Sequence, residues 1–391
     1  MAASALDRLY QIDTPEALEE CLTAFSTAVE GVFQLSGKKN EDALLYAVVR
    51  DDKPITPELY QAYADNLRRA VASVPVDDDL AAQWRANVSR FAAYKSYHAT
   101  QRIREAIAEN GDLDIGRAVL HAYNRYQAAE YNTAIARART GKQWRQFSDP
   151  DHVRLFPSIR WLPSRSASPR EEHMPFYNRV WPKDDPFWNT NQPGTLWNCK
   201  CDWEETDDEP TANNPTQRIV KPGLDQNPAT SGQIITDTAG YIKKAPKGTE
   251  SVCRSINRDY ASLSANSNQG VTCKVGTETH SVDFSNHKIN KHFAQDLYKD
   301  KLYWVKNEIL QNPQPYLDKA TLIGWKPSDA SHNANKETKR LKRRTDFFYY
   351  YKISICNGKE MYLHLGRYKD SGIMYLYSAS TKLPKNIEPL Q

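Results

Sequence analysis

Between residues 144 and 203 the chain gathers six of its nine tryptophans and eight of its 22 prolines, with almost no helical or strand periodicity. Rings in that number must be buried, yet proline at this density breaks helices and removes donors from sheets. The segment therefore has to fold by irregular packing of aromatic side chains, with room for short strands near Leu155 to Leu162. At 391 residues the chain also exceeds what one core usually organises, so two or three domains are expected.

The flanks differ in kind. Residues 14 to 145 carry helix signals: Thr14-Pro15-Glu16 and Thr56-Pro57-Glu58 each combine a capping threonine, a first-turn proline and an acid. A longer helix is expected from Asp79 to about Ala108, ending at Asn110-Gly111, with Leu80, Trp84, Val88, Phe91 and Tyr94 as its core stripe. Another is expected from Asp114 to about Ala138, its tyrosines packing between helices. After Trp203 an acidic run rich in Pro and Asn reads as the opening of a linker, and residues 219 to 280 show brief apolar pieces and at most a small strand pair. From Asp283 come a basic helix, SNHKINKHFAQDLY, and a second, YWVKNEILQNP. Three antiparallel strands follow in FFYYYKISIC, KEMYLHLGRY and GIMYLYSAS. The expected class is multidomain α+β. A helical region (1–145) and an irregular Trp- and Pro-rich segment (146–205) make one unit, residues 206–280 a linker, and residues 281–391 a small α+β domain with an antiparallel sheet.

Hydrophobic residues at 40% exclude wholesale disorder. No apolar run approaches the roughly 18 to 20 residues of a membrane span, and the first residues lack a signal-peptide layout, so no membrane or Sec export is expected. Six scattered cysteines make no disulfide scaffold and point to a reducing cytoplasm. Net charge is +4, but residues 281 to 391 hold 19 Lys or Arg against 11 Asp or Glu, a local +8 that leaves −4 elsewhere. A polyanionic partner for the C-terminal part is the implication.

The most specific string is SPREEHMPFYNRVWPKDDPFWNTNQPGTLWNCKC, residues 168 to 201. It sets Arg170 and His173 three apart, then Asp185, Phe187 and Trp188, a Pro193-Gly194 turn, and Trp197-Asn198 before Cys199-x-Cys201. Two readings are open. His173, Cys199 and Cys201 offer three zinc ligands. Alternatively, these residues brace a poorly hydrophobic fold through hydrogen bonds and ion pairs. The second is taken here, and no metal or cofactor is assigned.

In order and spacing this string resembles the signature of the phage Mu F-like minor head protein, or head morphogenesis, family. The matching positions are Arg170, His173, Asp185, Pro186, Phe187, Trp188, Pro193, Gly194, Trp197, Asn198, Cys199 and Cys201. Lys200 replaces the usual Arg, Gln192 the first of two prolines, and Thr195-Leu196 separates Gly194 from the tryptophan. The resemblance covers about 60 residues strongly. It implies a few copies near the portal of the virion head, contacts with portal and other head proteins, and a role in head assembly or DNA packaging and delivery. It implies no catalysis.

In the basic module, His287 and His292 lie five apart around Lys288 and Lys291. At 100° per residue their rings diverge by roughly 140°, so one is expected to face RNA and one to pack. Metal-free RNA cleavage fits this residue set: an imidazole takes the 2′-OH proton, a second donor serves the leaving 5′-oxygen, and a cation steadies the phosphate. The candidates are His287, Lys291, His292, His364, Arg367, Tyr375, Tyr377, Ser378 and Ser380, with His364 and Arg367 attractive as partners near one strand end. The run KETKRLKRR supplies Lys339, Arg340, Lys342, Arg343 and Arg344 for nucleic-acid phosphates, and Tyr349 to Tyr351 for base stacking. Residues 281 to 385 resemble the phage-associated barnase, EndoU, colicin and RelE-like nuclease group. That resemblance implies an endoribonuclease toxin, RNA or packaged DNA as partner, an immunity protein, and host cytoplasm after delivery.

Overall fold

A computed structural model describes residues 38–295, 302–329, 336–355, 358–383 and 386–389; the Thr14 helix start falls outside them. The described chain is α+β, with thirteen α-helices and three antiparallel sheets.

Helices α1 (Lys38–Arg50), α2 (Pro57–Ala72), α3 (Asp78–Asn110), α4 (Leu113–Asn124), α5 (Gln127–Phe147) and α6 (Pro150–Leu155) form the first part. The axis of the molecule is α3. Its expected stripe from Leu80 to Tyr94 is buried, and so are Ala82, Ala86, Ser89, Ala92, Ala93 and Ser96 on its other sides. Small residues all round let neighbours approach from every direction. The helix ends where Gly111 turns left-handed at φ 66° and its N–H reaches Ile107 O. The helix expected over 114–138 is two helices, broken at Arg125-Tyr126, where the Arg125 N–H closes onto His121 O. Tyr126 is left exposed rather than packed.

The Trp-rich segment folds as expected, around rings. Strands β1 (Ser158–Leu162), β2 (Val180–Pro182) and β3 (Asp202–Thr206) make a sheet of order β2-β1-β3. It supports a separate cluster of Phe147, Trp161, Phe176, Trp181, Phe187, Trp188 and Trp203. Trp181 stacks on Phe187 at 4.4 Å between centroids.

The linker expected over residues 206–280 is instead folded over most of its length. It contains α7 (Pro228–Ser231), α8 (Gly240–Lys243), α9 (Thr249–Ala265) and the hairpin of β4 (Thr272–Val275) with β5 (Glu278–Ser281). The irregular backbone of residues 224–235 is held by side chains of the bundle, which is why no periodicity marks that stretch. Arg137, fully buried, donates to the carbonyls of Leu224, Gln226 and Ile234. Asn87 exchanges two hydrogen bonds of 2.8 Å with the Ile235 backbone. Leu224, Ile234 and Ile235 are thereby drawn into the core.

The basic region begins with α10 (His287–Phe293), α11 (Tyr303–Gln311) and α12 (Gln314–Lys319). It continues with strand β6 (Thr321–Pro327), helix α13 (Lys336–Arg344), and strands β7 (Thr345–Ile355), β8 (Lys359–Tyr368) and β9 (Met374–Ser380). The expected meander is β7-β8-β9; β6 adds a fourth strand beside β7, with a register shift between Leu322 and Gly324. Helix α11 is buried along its whole length against α3 and α9. One contiguous apolar cluster consequently runs from Leu45 through Phe91, Ile256 and Ile309 to Leu365 and Ala379.

Candidate functional site

The sheet has two unlike faces because side chains alternate along a strand. Tyr349, Tyr351, Ile353, Met361, Leu363, Leu365 and Leu376 join the main core. Phe348, Tyr350 and Tyr375 face the other way, against Ile289 of α10 and Leu341 of α13. All three consecutive tyrosines, Tyr349 to Tyr351, are buried, so none lies open as the base-stacking platform that the sequence led us to expect.

On this second face lies a polar group centred on His364. Ser378 Oγ sits 2.7 Å from His364 Nδ1, and Ser380 Oγ 3.4 Å from its Nε2. Tyr350 meets the imidazole edge-on at 4.8 Å, and Lys326 lies 5.5 Å from the centre of that tyrosine ring. Both serines reach one ring because β9 carries a register shift opposite His364 and Leu365, which turns Tyr377 and Ser378 to the same side. Tyr377 continues the face: His292 packs on it at 4.6 Å and Phe348 at 5.1 Å. Burial first, then the Lys326 charge, pushes His364 down to about 4. Burial and then Lys306 lower His292 as well. Both rings are therefore neutral near pH 7.

The remaining sequence candidates are elsewhere. Arg367 forms a two-pronged ion pair with Asp346 (2.8 and 3.0 Å) and lies over Phe347 and Tyr349, on the face opposite His364. Three residues along a strand is an odd step, so the expected His364 and Arg367 partnership does not form. The HKINKH cluster divides along the helix as its 3.6-residue period requires. His287 Nδ1 meets Ser262 Oγ at 3.1 Å and Lys291 lies 3.8 Å from Asp259, both against α9, while His292, like Ile289, packs on the sheet. Tyr375 is buried with its hydroxyl 2.6 Å from Thr345 Oγ1. Of the basic run, Arg340, Arg343 and Arg344 are exposed and Lys339 and Lys342 half-exposed on α13, beside the same face. Lys326 was not singled out from sequence, and Tyr350 was expected to stack on bases, not to pack against an imidazole; the available signal for Lys326 was that it follows an apolar run interrupted by Gly324, the mark of a bulged strand.

The motif residues lie in and around the tryptophan-rich segment. Asp185 Oδ1 accepts the Phe187 N–H at 2.8 Å and starts a tight turn. Trp188 Nε1 donates to Pro182 O at 2.8 Å, and Arg170 to Trp197 O at 2.9 Å. Asn198 adopts φ 58°, with its N–H on Thr133 Oγ1 at 2.8 Å. Gly194, at φ 91°, passes so close to Arg137 that an added Cβ would lie 3.0 Å from its Cγ. His173, wholly buried, has Nδ1 3.5 Å from the sulfurs of both Cys199 and Cys201. Cys201 and then His173 beside it hold the Cys199 thiol down, while Cys199 and burial push Cys201 up. No family model, curated protein or solved structure matches the chain.

Proposed function

We propose that the chain is a minor head protein of a phage particle whose C-terminal sheet carries an RNA-cleaving centre organised by His364. The observation that carries the catalytic part is the set of His364, Ser378 and Ser380, joined on one sheet face by Tyr377, His292 and Lys326. His364, neutral at pH 7, takes the ribose 2′-OH proton, and the freed oxygen attacks the adjacent phosphorus. The bond from phosphorus to the 5′-oxygen breaks, and that oxygen takes a proton from His292 in its imidazolium form, formed by uptake of a proton from solvent when the bound phosphate offsets the Lys306 charge. Lys326 and the serine hydroxyls steady the phosphate oxygens. A base held near 4 is weak, so turnover is slow and rises as bound substrate raises the imidazole.

The head-protein part rests on the twelve ordered positions from Arg170 to Cys201 and implies portal and head-protein contacts in the virion. A particle fraction that lacks the chain would refute it. For the catalytic part, the full chain is incubated with bulk tRNA in EDTA. Cleavage leaving 2′,3′-cyclic phosphate ends, abolished in His364→Ala and strongly reduced in Ser378→Ala, is expected. Intact RNA at high protein concentration refutes it. A second reading, in which the C-terminal part only grips packaged DNA or the portal, is favoured by the cations exposed on α13. It predicts steeply salt-dependent duplex binding without cleavage, lost on replacing Arg340, Arg343 and Arg344.

A further inference from the structure

We propose that His173, Cys199 and Cys201 are the protein ligands of a zinc ion that staples the tryptophan cluster, with water in the fourth position. The three donor atoms lie within 4.8 Å of one another. Tetrahedral zinc with ordinary bond lengths sets nitrogen and sulfur about 3.6 Å apart. Here both sulfurs lie 3.5 Å from His173 Nδ1. One imidazole lone pair accepts one S–H; two sulfurs held at the same distance fit a shared ion better than two competing thiols.

The surroundings prepare the ring for this role. Thr195 Oγ1 donates to Gln192 O at 2.9 Å, which leaves its oxygen able to accept from His173 Nε2 at 3.5 Å. With its proton on Nε2, the ring makes there the hydrogen bond that partners behind metal-bound histidines accept, and its Nδ1 lone pair faces the sulfurs. Trp161 packs against the imidazole at 5.1 Å, and its Nε1 is buried with no conventional hydrogen-bond partner. Cys201 is its neighbour, and a metal-bound thiolate supplies the acceptor that N–H lacks. The ligands join the helical turn Glu171–Phe176 to the start of β3. The segment between is mostly irregular backbone, which gains stability from such a cross-link.

The test uses the full chain purified without chelator. Elemental analysis is expected to give about one zinc per chain. After removal, Co²⁺ is expected to restore thiolate-to-cobalt charge transfer and the intense visible bands of a tetrahedral site. Cys201→Ser should lose roughly half the charge-transfer intensity, in keeping with one thiolate of two. If that variant fails to fold, the cobalt spectrum of the unaltered chain still decides. Zinc well below one equivalent with both thiols freely titratable, a Cys199–Cys201 disulfide, or a cobalt spectrum without charge transfer overturns the proposal.

Discussion

Glu308 ties the C-terminal region to the helical bundle, and replacing it with alanine gives a sharp test of that union. Its side chain is 1% exposed on α11 and meets Arg68 of α2 at 3.0 Å and Arg85 of α3 at 3.5 Å. Ser89 Oγ donates to it at 3.2 Å and Gln311 Nε2 at 3.5 Å. Both arginines are only 17% exposed, so Glu308→Ala strands two largely buried cations. Removing one partner of a buried ion pair costs about 3–5 kcal/mol. An unfolding entropy of about 2 cal/mol/K per residue over 391 residues converts this to a fall in Tm of about 4–6 °C, provided the chain unfolds as one unit. Glu308→Gln keeps the shape and one acceptor oxygen but turns an N–H2 toward donors and removes the charge, so it should lose less than alanine but still lower Tm. Differential scanning calorimetry, followed in parallel by tryptophan fluorescence and far-ultraviolet dichroism, reads the change. A single transition displaced for all probes is expected. An unchanged Tm, or an early transition of the sheet that leaves the bundle where it was, refutes the reasoning.

Glu250 gives an acid-stability prediction. Burial alone would raise it, but Arg90 at 3.0 Å, then Arg254, Trp304 and Tyr94, outweigh that and bring it from 4.5 to about 2. Its contribution, on the order of 2–3 kcal/mol, is therefore full above about pH 4.5 and lost as pH falls toward 2; Glu250→Gln should flatten that limb of a denaturation series, and an unchanged limb argues against it. His364 has the opposite chemistry: a histidine held down at about 4 stabilises the fold fully above about pH 6.5, and progressively less as pH falls through that value toward 4. Its ring proton resonances should stay those of a neutral imidazole down to about pH 5, whereas a midpoint near 6.5 would contradict the burial argument. Arg137→Met removes the donors to three carbonyls and should cost about 3–5 kcal/mol while exposing residues 219–240 to limited proteolysis. Unchanged protection there would show that the clamp is not what orders this stretch.

Regular elements were legible where one residue's environment repeats along the chain. The Leu80 to Tyr94 stripe announced α3, Gly111 its end, and the aromatic, β-branched runs announced β7 to β9. Residues 219–239 were not legible, because their order comes from Arg137 and Asn87, some 90 to 150 positions earlier. In the candidate site, helical rotation separated His287 from His292 in advance, whereas the pairing of His364 with Arg367 expected from sequence overlooked that three residues along a strand point to opposite faces. The serines were legible as residue types, but their convergence on one imidazole depends on a register shift that leaves no compositional trace.

The tryptophan-rich stretch with which the chain is most marked illustrates the division. Sequence alone determined that these rings had to bury one another irregularly, since proline forbids long ladders and the rings are too large to leave in water. It also determined the α+β class and the basic character of the last 111 residues. Only tertiary structure decided that this basic region shares a core with the helical bundle, and that two sulfurs and one imidazole meet at 3.5 Å. The reason is physical: periodicity records which side of an element is dry. Which distant element dries it, and at what distance, is set by packing that no local pattern encodes.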